Sequence, residues 1–129
     1  EIAERVICAG FRRDVANCMA GMDIFVFSGI AEEGLTGTVR EAAAVGLPVI
    51  TTDVAGNREL IKNGETGLVV PMKDSAAMAE AVEKLLADME MAKKLGANAR
   101  KFVEENMSNE IRAERMEKLY MEIIKKRLK

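Results

Sequence analysis

The sequence predicts an α/β fold: a parallel sheet of about four strands, forming a partial doubly wound domain, with helices closing the chain. Three observations carry this. Four short apolar runs, rich in Val, Ile and Phe and without clean alternation, read as strands covered on both faces. Helical stretches separate them through short connections, as in parallel sheets. After Pro71 the pattern becomes helical only.

Taken in order, the expected strands are Arg5–Phe11 (RVICAGF), Asp23–Ser28 (DIFVFS), Pro48–Thr52 (PVITT) and Gly67–Pro71 (GLVVP). Asp14 is placed to cap a helix running to Met22. A second helix, Thr38–Val45, is closed by Gly46, and a short one, Asn57–Lys62, by the Asn63-Gly64 turn. Asp74 or Ser75 starts a helix whose Met78, Val82, Leu85, Leu86 and Met89 share a face. The next carries Leu95, Phe102 and Val103. The last, from about Ser108, places Ile111, Leu119, Tyr120, Ile123 and Ile124 on one stripe and ends in KKRLK, a basic end that suits the helix dipole.

A chain of 129 residues, nearly half of them hydrophobic and 31% charged, is one small globular domain. Nineteen basic and 21 acidic residues leave a net charge of −2, which gives no reason to expect nucleic acid or an anionic membrane as partner. No apolar run approaches the roughly 20 residues of a membrane span. Cys8 and Cys18 read as reduced, buried small hydrophobes, and the nine methionines as core filling. The absence of histidine excludes a cysteine-histidine zinc site and a histidine base within these residues. The expected compartment is the cytoplasm. The start, EIAERVICAGF, opens almost directly on an apolar run, as a piece of something longer would.

The stretch EEGLTGTVREA at 32–42 concentrates the chemistry. It follows an expected strand and enters a helix, so it lies at the carboxyl end of the sheet, where open α/β proteins bind ligands. The helix start offers unpaired N–H groups and a dipole that favours an anion, and Gly34 and Gly37 leave room for close approach. A phosphate or diphosphate suits that place. A carboxylate accepts from the two hydroxyls of a diol. Glu41, about one turn into the helix, is within reach of a ribose, and Glu33 stands on the other side of the anion. The plainer alternative, a loop charge at Glu33 and a solvated helix residue at Glu41, stays open on these residues alone. There is no Walker loop and no G-x-G-x-x-G.

EGLTGTVREAAAVGLPVITTDVAGNRELIKNGETGLVVP resembles the C-terminal, Rossmann-like donor-binding domain of retaining glycosyltransferases of the GT-B fold, family 4. The E-x7-E pair is Glu33 and Glu41, the strand entry Glu41–Ile50, and the following loop Asp53–Glu59. GFRRDVANCMAGMDIFVFS resembles the part before it, and Asp74–Tyr120 the closing helices, so the likeness covers almost the whole chain. It implies transfer of a sugar from a nucleotide-diphosphate sugar to a glycan, lipid or small-molecule acceptor. It further implies Glu33 as the catalytic-site carboxylate on the donor sugar and Glu41 on the ribose. Main-chain N–H groups around Gly34, Leu35, Thr36, Gly37 and Thr38 would hold the diphosphate, with Arg12 near the base. No metal or cofactor is implied.

Two departures stand out. Thr36 replaces the usual second glycine, and Ala55 the first glycine of the Asp53–Glu59 loop. The resemblance also places an arginine-lysine clamp and an acceptor domain in units that precede these residues. The chain alone is therefore expected to be an inactive fragment of an enzyme that is cytoplasmic and, when whole, membrane-peripheral. Strand 5–11, short of its family neighbours, would leave an edge open to a homodimer. A flavodoxin-like or receiver-like module with Asp53 at a strand end, and a sugar-nucleotide epimerase, are the rival readings.

Overall fold

The computed structural model describes residues 2–31 and 34–127. Its sheet has three strands, Phe25–Phe27 (β1), Val49–Thr52 (β2) and Leu68–Val70 (β3), parallel and in the order β1-β2-β3. Val26 pairs with Ile50, and Thr51 with Val69. Every residue of β2 is buried. That explains its unbroken apolar-to-threonine run: a central strand sends alternate side chains to opposite faces, and both faces are covered. Val49 enters a core with Val39, Ala42, Leu60 and Val103, whereas Ile50 enters a second core with Leu68, Ala81, Leu85 and Leu95.

The expected first strand does not form. Ala3–Arg5 is a 3-10 turn, and 6–13 joins no strand. Ile7 and Phe11 are 88% and 90% exposed. The composition of RVICAGF marks an apolar segment, but a strand also needs a ladder partner and a covering layer, and neither reaches it among the described residues. The sheet is thus one strand smaller than expected. Cys8 lies in this segment and is exposed, not buried; Cys18 is half-buried.

The helices are Val15–Ala20 (α1), Gly37–Val45 (α2), Ser75–Ala87 (α3), Met89–Asn106 (α4) and Asn109–Arg127 (α5). Asp14 precedes α1 without capping it, because its carboxylate is engaged by Arg12 at 2.5 and 2.9 Å. Gly46, at φ 90°, ends α2 as expected. The segment expected as a helix from Asn57 is a 3-10 turn two residues earlier, Ala55–Glu59, because Leu60 and Ile61 are drawn into the core. Asp74 caps α3 and Asp88 caps α4, accepting from Ala77 N–H and Met91 N–H at 2.9 and 2.8 Å.

On α3, Leu85 is fully buried and Met78 and Val82 are half-buried, but Leu86 is exposed; the helix ends at Ala87, so Met89, expected on the same face, instead begins α4 and is exposed too. Of the methionines, Met19 is buried, whereas Met22, Met89, Met116 and Met121 are exposed. On α5 no residue is buried: Leu119, Tyr120, Ile123 and Ile124 face solvent. The apolar stripe is present, and no described element covers it. No helix among the described residues is long and apolar enough to cross a membrane.

Candidate functional site

The loop after β1 and the turn after β2 meet at the carboxyl edge of the sheet, where α2 begins. Thr36 is the residue before α2. Its hydroxyl makes no capping bond; Thr36 Oγ1 is buried and without a partner among the described residues. Its N–H donates to Asn57 Oδ1 at 3.0 Å, and Asn57 Nδ2 donates to Thr51 Oγ1 on β2 at 2.9 Å. Intrahelical bonding starts when Arg40 N–H meets the Thr36 carbonyl at 3.2 Å. The N–H groups of Gly37, Thr38 and Val39 come before it and have no acceptor within the helix. Three donors and the positive end of a helix of nine residues therefore point at one place.

Gly56 fixes the loop from the other side. A Cβ there would fall 2.1 Å from the Gly34 carbonyl carbon and 2.3 Å from the Leu35 nitrogen, so only glycine lets the turn after β2 lie against the loop. Ala55, the departure beside it, is exposed, which is why a methyl is tolerated at 55. Leu35 is half-buried and packs on the core, anchoring the loop's middle.

Glu41 is exposed on α2 and lines a cleft of about 460 Å3 with Arg13, Val15, Ala16, Met19 and Val45. The arginine in that cleft is Arg13. Arg12, the residue expected near the base, is tied to Asp14 and holds that carboxyl below the usual carboxylate range. Nothing in the sequence separates two adjacent arginines; the Asp14 pairing does. A second cavity, of about 340 Å3, lies at the same edge of the sheet among Ser28, Ile30, Thr52 and Lys73.

Of the residues expected at the site, the structure brings Gly34, Leu35, Thr36, Gly37, Thr38 and Glu41 onto the loop and the first turns of α2. Glu33, the expected catalytic carboxylate, lies outside the described residues. Asp53 is held by Arg58 at 2.5 and 2.6 Å, which pushes its carboxyl below the usual range. That ion pair occupies the aspartate a receiver-like module would need. Among the described residues no group of His, Cys, Asp or Glu could hold a metal ion.

Residues 1–88 match the family described as Glycosyl transferases group 1. The chain is 40% identical over 104 residues to the capsular polysaccharide biosynthesis glycosyltransferase CapM of Staphylococcus aureus, which covers 81% of this chain and 27% of that protein. The chain belongs to the group 1 glycosyl transferases. Its fold is similar to sucrose-phosphate synthase of Thermosynechococcus elongatus, with a TM-score of 0.88 and 31% identity over 95% of this chain and 31% of that one. It is also similar in fold to HepE of Anabaena in complex with UDP-glucose, with a TM-score of 0.86 and 24% identity over 92% of this chain and 33% of that one. The chain thus spans about a third, or less, of the relatives it matches.

Within this group 1 glycosyl transferase chain, sequence reasoning missed two residues at the site. Arg13 lines the cleft beside Glu41, next to the expected Arg12. Asn57 reads as the start of a helix; its signal is a polar side chain three places before the apolar pair Leu60-Ile61, in a turn that must be buried.

Proposed function

We propose that this chain is the donor-binding part of a retaining glycosyltransferase that takes a nucleotide-diphosphate sugar. The observation that carries the reading is the start of α2: N–H groups with no acceptor within the helix, at the carboxyl edge of a parallel sheet, about one turn from an exposed glutamate that lines a cleft. Gly37 and Thr38 N–H would meet diphosphate oxygens, and the Glu41 carboxylate would accept from the ribose hydroxyls. The cleft beside Glu41, with Arg13 at its rim, leaves room for the base. Glu33, from the resemblance of the E-x7-E pair, contacts the donor sugar. In the reaction the bond from the sugar's anomeric carbon to the diphosphate oxygen breaks, and the N–H groups stabilise the charge on the leaving diphosphate. An acceptor hydroxyl oxygen then bonds that carbon on its original face, and its proton passes to the departing diphosphate. No metal or cofactor enters this scheme.

The acceptor, whether glycan, lipid or small molecule, belongs to parts of the protein beyond the described residues, so the chain by itself binds donor without turning it over. The whole protein is placed in the cytoplasm, at the membrane periphery. The outer edge of β1 carries no strand among the described residues, and a second copy adding there would give a dimer, although segment 5–11 does not supply that edge. Sedimentation of the chain at rising concentration tests this.

The donor reading is tested by amide titration with UDP, GDP and ADP, alongside Glu41→Ala. We expect one nucleotide to shift the amides of residues 34–41 and the variant to abolish the shifts. A well-dispersed spectrum that no nucleotide moves would sink the reading.

A further inference from the structure

We propose that Asn57 is a positioning residue for the donor loop, one that sets where the first N–H groups of α2 stand and withholds the Thr36 N–H from the ligand. The inference rests on the donor reading above and adds to it a division of labour within the loop.

The Asn57 side chain is 1% exposed and has both ends engaged. Its orientation is fixed by chemistry. The Thr51 hydroxyl spends its proton on the Thr52 carbonyl at 3.0 Å, so towards Asn57 it can only accept. Asn57 must therefore turn its NH2 to Thr51 and its oxygen to Thr36, as the distances of 2.9 and 3.0 Å require. The Asn57 backbone is held as well: its N–H donates to the Val54 carbonyl, and its own carbonyl accepts from Ile61 N–H at 2.8 Å. A rigid line thus runs from the central strand, through Asn57, to the residue before α2.

Two consequences follow. The Thr36 amide, counted from the family pattern among the phosphate donors, is already spent. What remains for an anion is Gly37, Thr38 and Val39 N–H, together with the Thr36 hydroxyl, which is buried and without a partner among the described residues. The placement of these donors depends on Asn57, because Thr36 makes no cap of its own. An error of about 1 Å in such a set weakens every bond to the ligand at once.

The test uses the full chain, whichever of UDP, GDP or ADP it binds best, and the corresponding nucleoside. In Asn57→Ala the diphosphate Kd is expected to rise about tenfold, the nucleoside Kd to stay unchanged, and the Thr36 amide to exchange with solvent faster. Thr51→Val keeps the shape but removes the acceptor that orients Asn57; about a threefold rise is expected, and this variant carries the test if Asn57→Ala does not fold. The proposal is overturned if a folded variant binds the diphosphate as the wild type does, or if nucleoside and diphosphate weaken together. A wild-type Thr36 amide that exchanges freely overturns it too. A wild type that binds no nucleotide overturns the donor reading itself, whereas wild-type binding that ignores Asn57 removes only this inference.

Discussion

Thr52, the last residue of β2, donates its hydroxyl to the Gly29 carbonyl at 2.8 Å. The bond ties the end of the central strand to the loop that leaves β1 and leads to the start of α2. Thr52 is buried and Gly29 half-buried, so the loss of the hydroxyl removes the bond from a carbonyl that is partly shielded from water. Thr52→Val keeps the shape. We expect it to lower stability by about 1–3 kcal/mol, the net bond plus the partly shielded carbonyl, read as the shift in a urea unfolding midpoint. An unchanged midpoint would mean that water reaches this carbonyl and that the loop is held elsewhere.

Glu41 offers the opposite case. It is exposed and lines a cleft that is open to solvent, so its removal leaves no buried group unsatisfied. Glu41→Gln is expected to change stability by less than about 0.5 kcal/mol. The same substitution should weaken the nucleotide about tenfold or more, since it replaces a charged acceptor by a neutral one facing a diol. Calorimetric titration of both proteins separates the two effects. A large stability loss would return Glu41 to a structural role.

The Asp53–Arg58 pair gives a pH signature. The hydrogen bond from Arg58 pushes the Asp53 carboxyl below its usual range, so the folded state favours the ionised form. A carboxyl whose folded-state pKa is depressed contributes stability that is complete above the unfolded value and is lost as pH falls through the folded one. Asp53→Asn abolishes that contribution. The stability gap between wild type and variant should therefore be present at neutral pH and close as the solution is acidified past the ordinary carboxylate range. Both side chains are substantially exposed, so added salt should narrow the gap at neutral pH as well. A gap independent of pH would show that the aspartate acts through shape alone.

How far the sequence could be read follows from which information each element needs. The central strand was legible because Val49–Thr52 is buried on both faces, and two-sided burial leaves a mark on composition. RVICAGF carries the same mark without becoming a strand, since pairing depends on a partner that a segment's own residues do not encode. The α5 stripe failed in the same way: Ile123 and Ile124 share a face whether or not anything covers it. At the site, the glycine loop, the entry to α2 and Glu41 were legible because each is a local pattern. Asn57 was not, because its meaning lies in a contact with Thr36 across 21 residues of chain. Which of Arg12 and Arg13 faces the cleft turns on the ion pair with Asp14, a residue that the sequence marks as a helix cap.

That last ambiguity can be measured. Asp14, Asp74 and Asp88 all stand immediately before a helix; the sequence offers Asp14 and Asp74 as caps, and the structure adds Asp88, where the helix expected to run through Met89 breaks in two. The structure gives the capping bond to Asp74 and Asp88 only, while the Asp14 carboxylate faces Arg12. Asp74→Ala and Asp88→Ala should each cost about 1 kcal/mol, because each strands an N–H of the first turn. Asp14→Ala should leave the unfolding midpoint where it is, since an exposed pair contributes little and no cap is lost. It should instead free Arg12, detectable in NMR as slower transverse relaxation of its guanidinium signal. If Asp14→Ala proves as costly as the other two, Asp14 caps α1 in solution and the Arg12 pairing is secondary. Arg12 would then be available to the cleft beside Glu41 that Arg13 now lines.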